Sequence, residues 1–166
     1  FTGRNWFNHA ATDGKLMANN QLRVVLAQID PVVGDVAGNT RKVMAATRQA
    51  RQEHDAELVV FPELCLTGYP PEDLLLRPGL LKRVNKALQT LCQQIDDITI
   101  IVGHPLGEVG KELFNAASVI NKNHISAQYL KQKLPNYGVF DEKRYFIEGR
   151  EATIIEINQF KIGLTI

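Results

Sequence analysis

The first regular feature of the chain is a set of three nearly continuous apolar runs, at residues 22–29 (LRVVLAQI), 58–61 (LVVF) and 98–103 (ITIIVG). The runs are rich in valine and isoleucine. Such runs are typical of strands that are covered on both faces of an α/β sheet. We therefore expect three buried strands within the first two thirds of the chain.

Two helical patterns separate these strands. The first is residues 39–54, which carry apolar side chains at helical spacing at Val43, Ala46 and Ala50. The second follows Pro78 and Gly79 and keeps a stronger apolar stripe at Leu80, Leu81, Val84, Leu88, Leu91 and Ile95. The order strand, helix, strand, helix, strand predicts right-handed crossovers and a parallel core.

The second half of the chain predicts hairpins. Residues 113–120 and 125–130 flank a polar turn, and residues 152–157 and 161–166 flank Asn158-Gln159. Between the two pairs, residues 131–150 show no period, and loops of that length are usually functional or disordered. The whole pattern predicts one α/β domain with a mixed sheet.

Composition narrows the class of protein. Of the 166 residues, 45% are hydrophobic and 22% are charged, and 19 basic against 18 acidic side chains give a net charge of +1. No cluster of Lys and Arg stands out, so we expect neither nucleic acid nor a membrane as a partner. Two cysteines form no disulfide framework and no metal-ligand cluster, which fits a cytoplasmic protein without a bound metal.

The two ends of the chain differ from its middle. Residues 1–20 are polar and lack the apolar core of a signal peptide, so we interpret them as a flexible leader or an expression remnant. We expect the folded domain to occupy residues 21–166. Because its last segment is an apolar strand without a polar cap, we expect the domain to be incomplete at its C-terminus.

Glu63, in the segment Phe61-Pro62-Glu63-Leu64, is the first candidate for chemistry. It directly follows a predicted buried strand, and open α/β folds place their ligands at the carboxyl ends of such strands. A carboxylate in a partly apolar setting can act as a general base. From the pattern alone, a solvent-facing acid in a loop is an equally good interpretation.

Lys131 is the second candidate. It lies just past a predicted strand among apolar and aromatic residues, where an ammonium could stabilise a developing oxyanion. The alternative is that Lys131, like the neighbouring Lys133, Lys143 and Arg144, is an ordinary solvated charge of the loop.

Several longer motifs now occur in one order: the opening strand LRVVLAQ, FPEL at residues 61–64, LTGYPPEDLL at residues 66–75 and KLPNYGVFDEKRYF at residues 133–146. Together they resemble the nitrilase, or carbon–nitrogen hydrolase, superfamily. LTGYPPEDLL and KLPNYGVFDEKRYF resemble one branch, the glutaminase domains of glutamine-dependent NAD(+) synthetases. The resemblance implies a nitrilase-like four-layer α-β-β-α sandwich, here incomplete at the C-terminus.

The resemblance also implies roles for individual residues, since the family uses a Glu-Lys-Cys triad. Glu63 matches the general base and Lys131 the catalytic lysine. Glu142 resembles a supporting carboxylate, and Tyr137 and Tyr69 resemble positions that line the substrate pocket. The family's nucleophilic cysteine follows a strand that resembles residues 161–166, so it is absent from this chain.

The function implied for the complete protein is hydrolysis of the L-glutamine amide. The ammonia would then serve ATP-dependent amidation of nicotinate adenine dinucleotide to NAD(+). ATP and magnesium would bind a synthetase domain of the same polypeptide, with no cofactor in this domain, and the complete protein would be a homo-oligomer. Two alternatives stay open: a stand-alone nitrilase-family amidase for another small amide, and a non-catalytic remnant.

The cysteines and histidines are weaker candidates for chemistry. Cys65 follows Glu63 by two residues, but cysteine is usually buried and nothing in the sequence lowers its pKa, so a core role is favoured. Cys92 lies on the apolar side of a predicted helix. The four histidines match no metal site, and His104, after a predicted strand, is the one with a possible role in the site.

Overall fold

The computed structural model describes residues 21–166, so the predicted leader at residues 1–20 lies outside it. The helices are α1 (Val36–His54) and α2 (Pro78–Gln94). The strands are β1 (Val24–Leu26), β2 (Leu58–Val60), β3 (Thr99–Gly107), β4 (Leu113–Asn121), β5 (His124–Leu130), β6 (Thr153–Ile157) and β7 (Phe160–Leu164). Short 3-10 helices occur at Glu72–Leu76 and Glu142–Arg144. None of the described helices has the length and apolar character that crossing a membrane requires.

Strands β1 to β5 form one mixed sheet in sequence order. The pairs β1–β2 and β2–β3 are parallel, which confirms the predicted parallel core, whereas β3–β4 and β4–β5 are antiparallel. Strand β1 is shorter than predicted. The pairing with β2 ends as the backbone N–H of Ala27 donates to the carbonyl of Val60, the last residue of β2. Further along, the backbone N–H and C=O of Val32 bond to the side chain of Asn39 on α1 at 2.8 Å each.

Both predicted helices form, and each begins earlier than its apolar pattern indicates. Asp35 caps α1 by accepting a hydrogen bond from the backbone N–H of Gly38 at 2.9 Å, so the helix begins at Val36. Helix α2 begins on Pro78 itself, whose missing N–H costs nothing in a first turn. All six residues of the predicted α2 stripe are buried, and each such side chain contributes roughly 1.5–3 kcal/mol.

The elements stack in three layers. Helices α1 and α2 cover one face of the sheet through a large apolar cluster that includes Val59, Ile100 and Val102. The β6–β7 hairpin packs on the opposite face through a second cluster that includes Leu58, Ile101 and Val119. This arrangement confirms the α/β class. It supplies an α-β-β stack, and the second helix layer of the expected sandwich does not occur within residues 21–166.

Both predicted hairpins are present. Each turn consists of two residues with positive φ, Lys122 and Asn123 in the first and Asn158 and Gln159 in the second, as tight hairpins with the right-handed strand twist require. The sequence did not indicate one further feature of β5. Ile120 pairs with Ile125 but Val119 pairs with Ala127, which leaves Ser126 as an extra residue.

Candidate active site

Glu63 lies on a tight turn that directly follows β2. The turn rests on β3, where the backbone N–H of Leu66 donates to the carbonyl of Gly103 at 3.2 Å. A Cβ atom on Gly103 would lie 2.5 Å from the nitrogen of Leu64 and 2.7 Å from the carbonyl oxygen of Pro62. The backbone that carries Glu63 can therefore approach β3 this closely only because residue 103 is glycine.

Lys131 directly follows β5, and its backbone N–H donates to the carbonyl of Asn115 on β4 at 2.8 Å. Side chains alternate between the faces of a strand, so Asn115 projects on the same face as Ala117 and Val119, which belong to the cluster under the β6–β7 hairpin. Lys131, directly opposite Asn115, projects on that face as well.

The Lys131 ammonium lies between two carboxylates that come from different segments. Its Nζ donates to Oε1 of Glu63 at 2.6 Å and to Oε1 of Glu142 at 2.9 Å. The side chains of Lys131 and Glu142 are 8% and 9% exposed, and that of Glu63 is 29% exposed. The structure thus brings together the three residues that the motifs singled out for catalysis, although 68 positions separate Lys131 from Glu63.

The two carboxylates determine the protonation of the lysine. Burial acts to lower the pKa of Lys131, but the hydrogen bonds and charges of Glu63 and Glu142 outweigh it and raise this pKa above its ordinary value. The side chain is therefore an ammonium at neutral pH, with a fixed position and a positive charge in a largely dry site.

Asn115 is a site residue that the sequence did not indicate. Its side chain is fully buried, and its Nδ2 donates to Oε1 of Glu63 at 2.6 Å. The only signal in the sequence was an amide within an otherwise apolar strand, since Asn115 lies between Phe114 and Ala116.

A cavity of about 590 Å³ adjoins the site and contains Tyr69 and Glu142 in its wall. Burial and the charges of Glu63 and Glu142 raise the pKa of Tyr69, with Lys131 opposing them, which places the phenol within the field of the site. Tyr137 is not in this wall. It is 71% exposed and packs edge-on against Phe140, which is in the wall, with 5.7 Å between ring centres.

A second cavity, of about 830 Å³, is larger but has different surroundings. Its wall includes Phe114, Gln128 and Thr153 and none of the side chains of Glu63, Lys131 or Glu142. Size alone would favour this cavity as the substrate site, whereas the position of the buried charges favours the smaller one.

Both cysteines lie apart from this chemistry. Cys65 is completely buried, its thiol donates to the carbonyl of Gly103, and burial raises its pKa to about 12. Such a thiol is not a nucleophile at neutral pH. Cys92 is half-buried on α2 and packs against the apolar cluster beneath the helices. The predicted core role of Cys65 is consistent with this position.

His104 lies within β3 rather than after it, because this strand continues to Gly107. It is fully buried, its Nδ1 donates to the carbonyl of Pro105 at 3.0 Å, and its Nε2 is 2.7 Å from the hydroxyl of Ser118. Burial lowers its pKa to about 4. The possible site role of His104 is therefore replaced by a structural one. Among residues 21–166, no three His, Cys, Asp or Glu side chains are grouped so as to hold a metal ion.

Comparison with known proteins identifies one family and a set of relatives that share one name. Residues 23–166 match the carbon-nitrogen hydrolase family. The chain is 43% identical over 146 residues to the glutamine-dependent NAD(+) synthetase of Thermotoga maritima, covering 88% of this chain and 25% of that protein. It is 47% identical over 147 residues to the synthetase of the same name from Xanthomonas campestris pv. campestris, covering 87% and 26%. The chain thus spans about a quarter of the length of these relatives.

Solved structures extend the comparison to the fold. The glutamine-dependent NAD(+) synthetase of Acinetobacter baumannii, solved in complex with ADP, is 40% identical with a TM-score of 0.82, over 87% of this chain and 27% of that one. An amidase from Nesterenkonia sp. is 23% identical with a TM-score of 0.76, over 87% of this chain and 54% of that one. The second likeness concerns the fold alone.

Proposed function

The chain belongs to the carbon-nitrogen hydrolase family, and from that premise we propose that it forms the glutamine-hydrolysing site of a glutamine-dependent NAD(+) synthetase. In this proposal Glu63 is the general base and Lys131 stabilises the oxyanion. Glu142 holds the lysine in place.

The observation that carries the proposal is the buried ammonium of Lys131 between Glu63 and Glu142. A lysine ammonium has three N–H donors, and two of them point at the carboxylates. The third is free to donate to an oxyanion as negative charge develops on a substrate carbonyl. A preorganised donor of this kind in a dry site accounts for a large part of the acceleration in acyl transfer.

The reaction is a double displacement through a thioester. Glu63 accepts the proton of a cysteine thiol, and the thiolate attacks the side-chain amide carbon of glutamine. Lys131 stabilises the resulting oxyanion, and the C–N bond breaks as the nitrogen receives the proton from Glu63 and leaves as ammonia. Water, deprotonated by Glu63, then attacks the thioester, which releases glutamate and regenerates the thiol.

The thiol in this scheme is not one of the two present here. Cys65 is buried with its pKa raised to about 12, and Cys92 lies on α2 away from the carboxylates. We infer that the nucleophile belongs to a segment outside these 166 residues. Ile166 packs in the cluster on the sheet face from which Lys131 projects, which is compatible with delivery of a following residue to that face.

The proposal extends to the complete protein. Ammonia would pass to a synthetase domain of the same polypeptide, where ATP and magnesium support amidation of nicotinate adenine dinucleotide. We propose a homo-oligomeric, cytoplasmic enzyme. The two free thiols are compatible with that compartment. The chain spans about a quarter of the length of relatives that are named glutamine-dependent NAD(+) synthetases, which leaves room in those proteins for a second domain.

The test uses the complete enzyme and the substitution Glu63→Gln. An amide in place of the carboxylate removes the base with little change of volume, and removal of a general base costs typically about 10²–10⁴-fold. We expect glutamine-dependent NAD(+) synthesis to fall by that factor while synthesis from added ammonia is retained.

The matched control is Glu156→Gln, which neutralises an exposed carboxylate on β6. It should change neither activity. Equal loss of glutamine-dependent and ammonia-dependent synthesis in Glu63→Gln would refute the proposal that Glu63 serves glutamine hydrolysis alone. Hydrolysis of another small amide in preference to glutamine would instead support the stand-alone amidase.

A further inference from the structure

The side chain of Asn115 has a single hydrogen bond within the described part of the structure. Its Nδ2 donates to Oε1 of Glu63 at 2.6 Å, and its Oδ1 is buried without a partner among residues 21–166. A buried amide that is only half satisfied is costly, by about 1–3 kcal/mol for the unpaired group. Packing alone would favour an apolar residue at this position of β4.

The two donors to Glu63 converge on one oxygen. Both Asn115 Nδ2 and Lys131 Nζ reach Oε1, each at 2.6 Å. Oε2 accepts no hydrogen bond from the described residues. The carboxylate thus has one oxygen fixed from two directions and one oxygen free.

The orientation of the Asn115 amide follows from the same contact. A carboxylate only accepts, so the group that faces Glu63 must be the NH₂ and not the carbonyl. Because Oδ1 has no competing donor in the described residues, Glu63 alone determines which way the amide points.

We propose that Asn115 is a positioning residue that selects Oε2 of Glu63 as the atom that receives the thiol proton. Lys131 alone could hold Oε1, but a single contact lets the carboxylate rotate about its final bond. The second donor, fixed on β4, removes that rotation. This inference rests on the proposed role of Glu63 as base, and Asn115 itself does not touch the substrate in it.

The experiment uses the complete enzyme with Asn115→Leu, which keeps the branching and the number of side-chain heavy atoms and removes the donor. We expect kcat for glutamine hydrolysis to fall by about 10–10²-fold, since a misplaced catalytic group costs up to that much. KM for glutamine and the rate with added ammonia should stay unchanged. The matched control is Ser118→Ala, also fully buried on β4 but bonded to His104 on the other face of the sheet.

The double variant Glu63→Gln/Asn115→Leu separates a positioning role from a structural one. If Asn115 acts through Glu63, the double variant is no slower than Glu63→Gln alone. Two results would overturn the proposal. In the first, the loss of kcat in the double variant equals the product of the losses in the two single variants. In the second, the loss of kcat in Asn115→Leu is accompanied by a fall in the melting temperature. A wild-type kcat in Asn115→Leu would also overturn the proposed role of Asn115. The proposed function would survive that result, because Glu63→Gln would still be inactive. Full activity in Glu63→Gln would remove both.

If Asn115→Leu does not fold, the pair Asn115→Ser and Asn115→Ala takes its place. The two differ by one hydroxyl donor. A higher kcat for serine than for alanine at equal melting temperature supports the proposal, and equal kcat values overturn it.

Discussion

Lys131 and Glu63 lie 2.6 Å apart at Nζ and Oε1, although each is positioned by a different strand of the sheet. Glu63 follows β2, which belongs to the parallel half, and Lys131 follows β5, which belongs to the antiparallel half. The ion pair therefore spans both halves. Its geometry depends on the packing of the whole sheet and not on one local motif.

Removal of the lysine charge should destabilise the chain. Lys131→Met leaves Glu142, which is 9% exposed, without its cation, and loss of one partner of a buried pair costs about 3–5 kcal/mol. Thermal unfolding of the chain followed by circular dichroism measures the effect. The double variant Lys131→Met/Glu142→Gln removes the uncompensated charge and should recover part of the loss. An unchanged melting temperature in Lys131→Met would contradict the buried ion pair.

Substitution of Gly103 should disturb the base through the backbone. In Gly103→Ala the new methyl group meets the backbone of Pro62 and Leu64, so the Glu63 turn must move. We expect a loss of about 1–3 kcal/mol in stability and, in the complete enzyme, of about 10²-fold in glutamine turnover. Gly163→Ala is the matched control, since a Cβ there meets nothing within 4 Å. Wild-type turnover in Gly103→Ala would show that the turn tolerates displacement.

The chain of 166 residues should not hydrolyse glutamine. Cys65 is fully buried, so Ellman's reagent should titrate only Cys92 in the folded chain and both thiols in denaturant. An ammonia assay with glutamine should give no turnover. Steady turnover that Cys65→Ala abolishes would show that the buried thiol is the nucleophile after all.

The pH dependence of stability should report on His104. Burial lowers its pKa from 6.5 to about 4 in the folded state, so between these values the unfolded chain binds a proton that the folded chain does not. The stabilisation from His104 is therefore complete above about pH 6.5 and is lost as the pH falls towards about 4. Its full size is about 3 kcal/mol.

Urea unfolding at a series of pH values measures this dependence. His104→Gln should flatten the stability profile between pH 6.5 and 4. His124→Gln, which removes an exposed histidine at the start of β5, should leave the profile as it is. Equal slopes in the wild type and His104→Gln would mean that other groups dominate the acid response.

Much of the fold follows from local pattern. The apolar runs, the α2 stripe and the two polar turns are properties of neighbouring residues, and the strands, helix and hairpins that they predict are all present. Glu63 and Lys131 could be selected because each directly follows a strand. Asn115 could not, since its partner Glu63 is 52 positions away and no local pattern links the two. The place of Tyr137 outside the cavity wall likewise depends on how the long loop folds.

One residue of β5 has an importance that its chemistry does not suggest. The tight turn before β5 pairs Asn121 with His124, and if regular pairing continued from there with every residue kept, Lys131 would lie opposite Phe114. A shift by one residue turns a side chain to the other face of the sheet, so the ammonium would point at the helices. The bulge at Ser126 absorbs one residue and brings Lys131 opposite Asn115 instead. Deletion of Ser126 would therefore straighten β5 and leave Lys131 in place, whereas insertion of one residue between Ala127 and Lys131 would turn the ammonium away from Glu63.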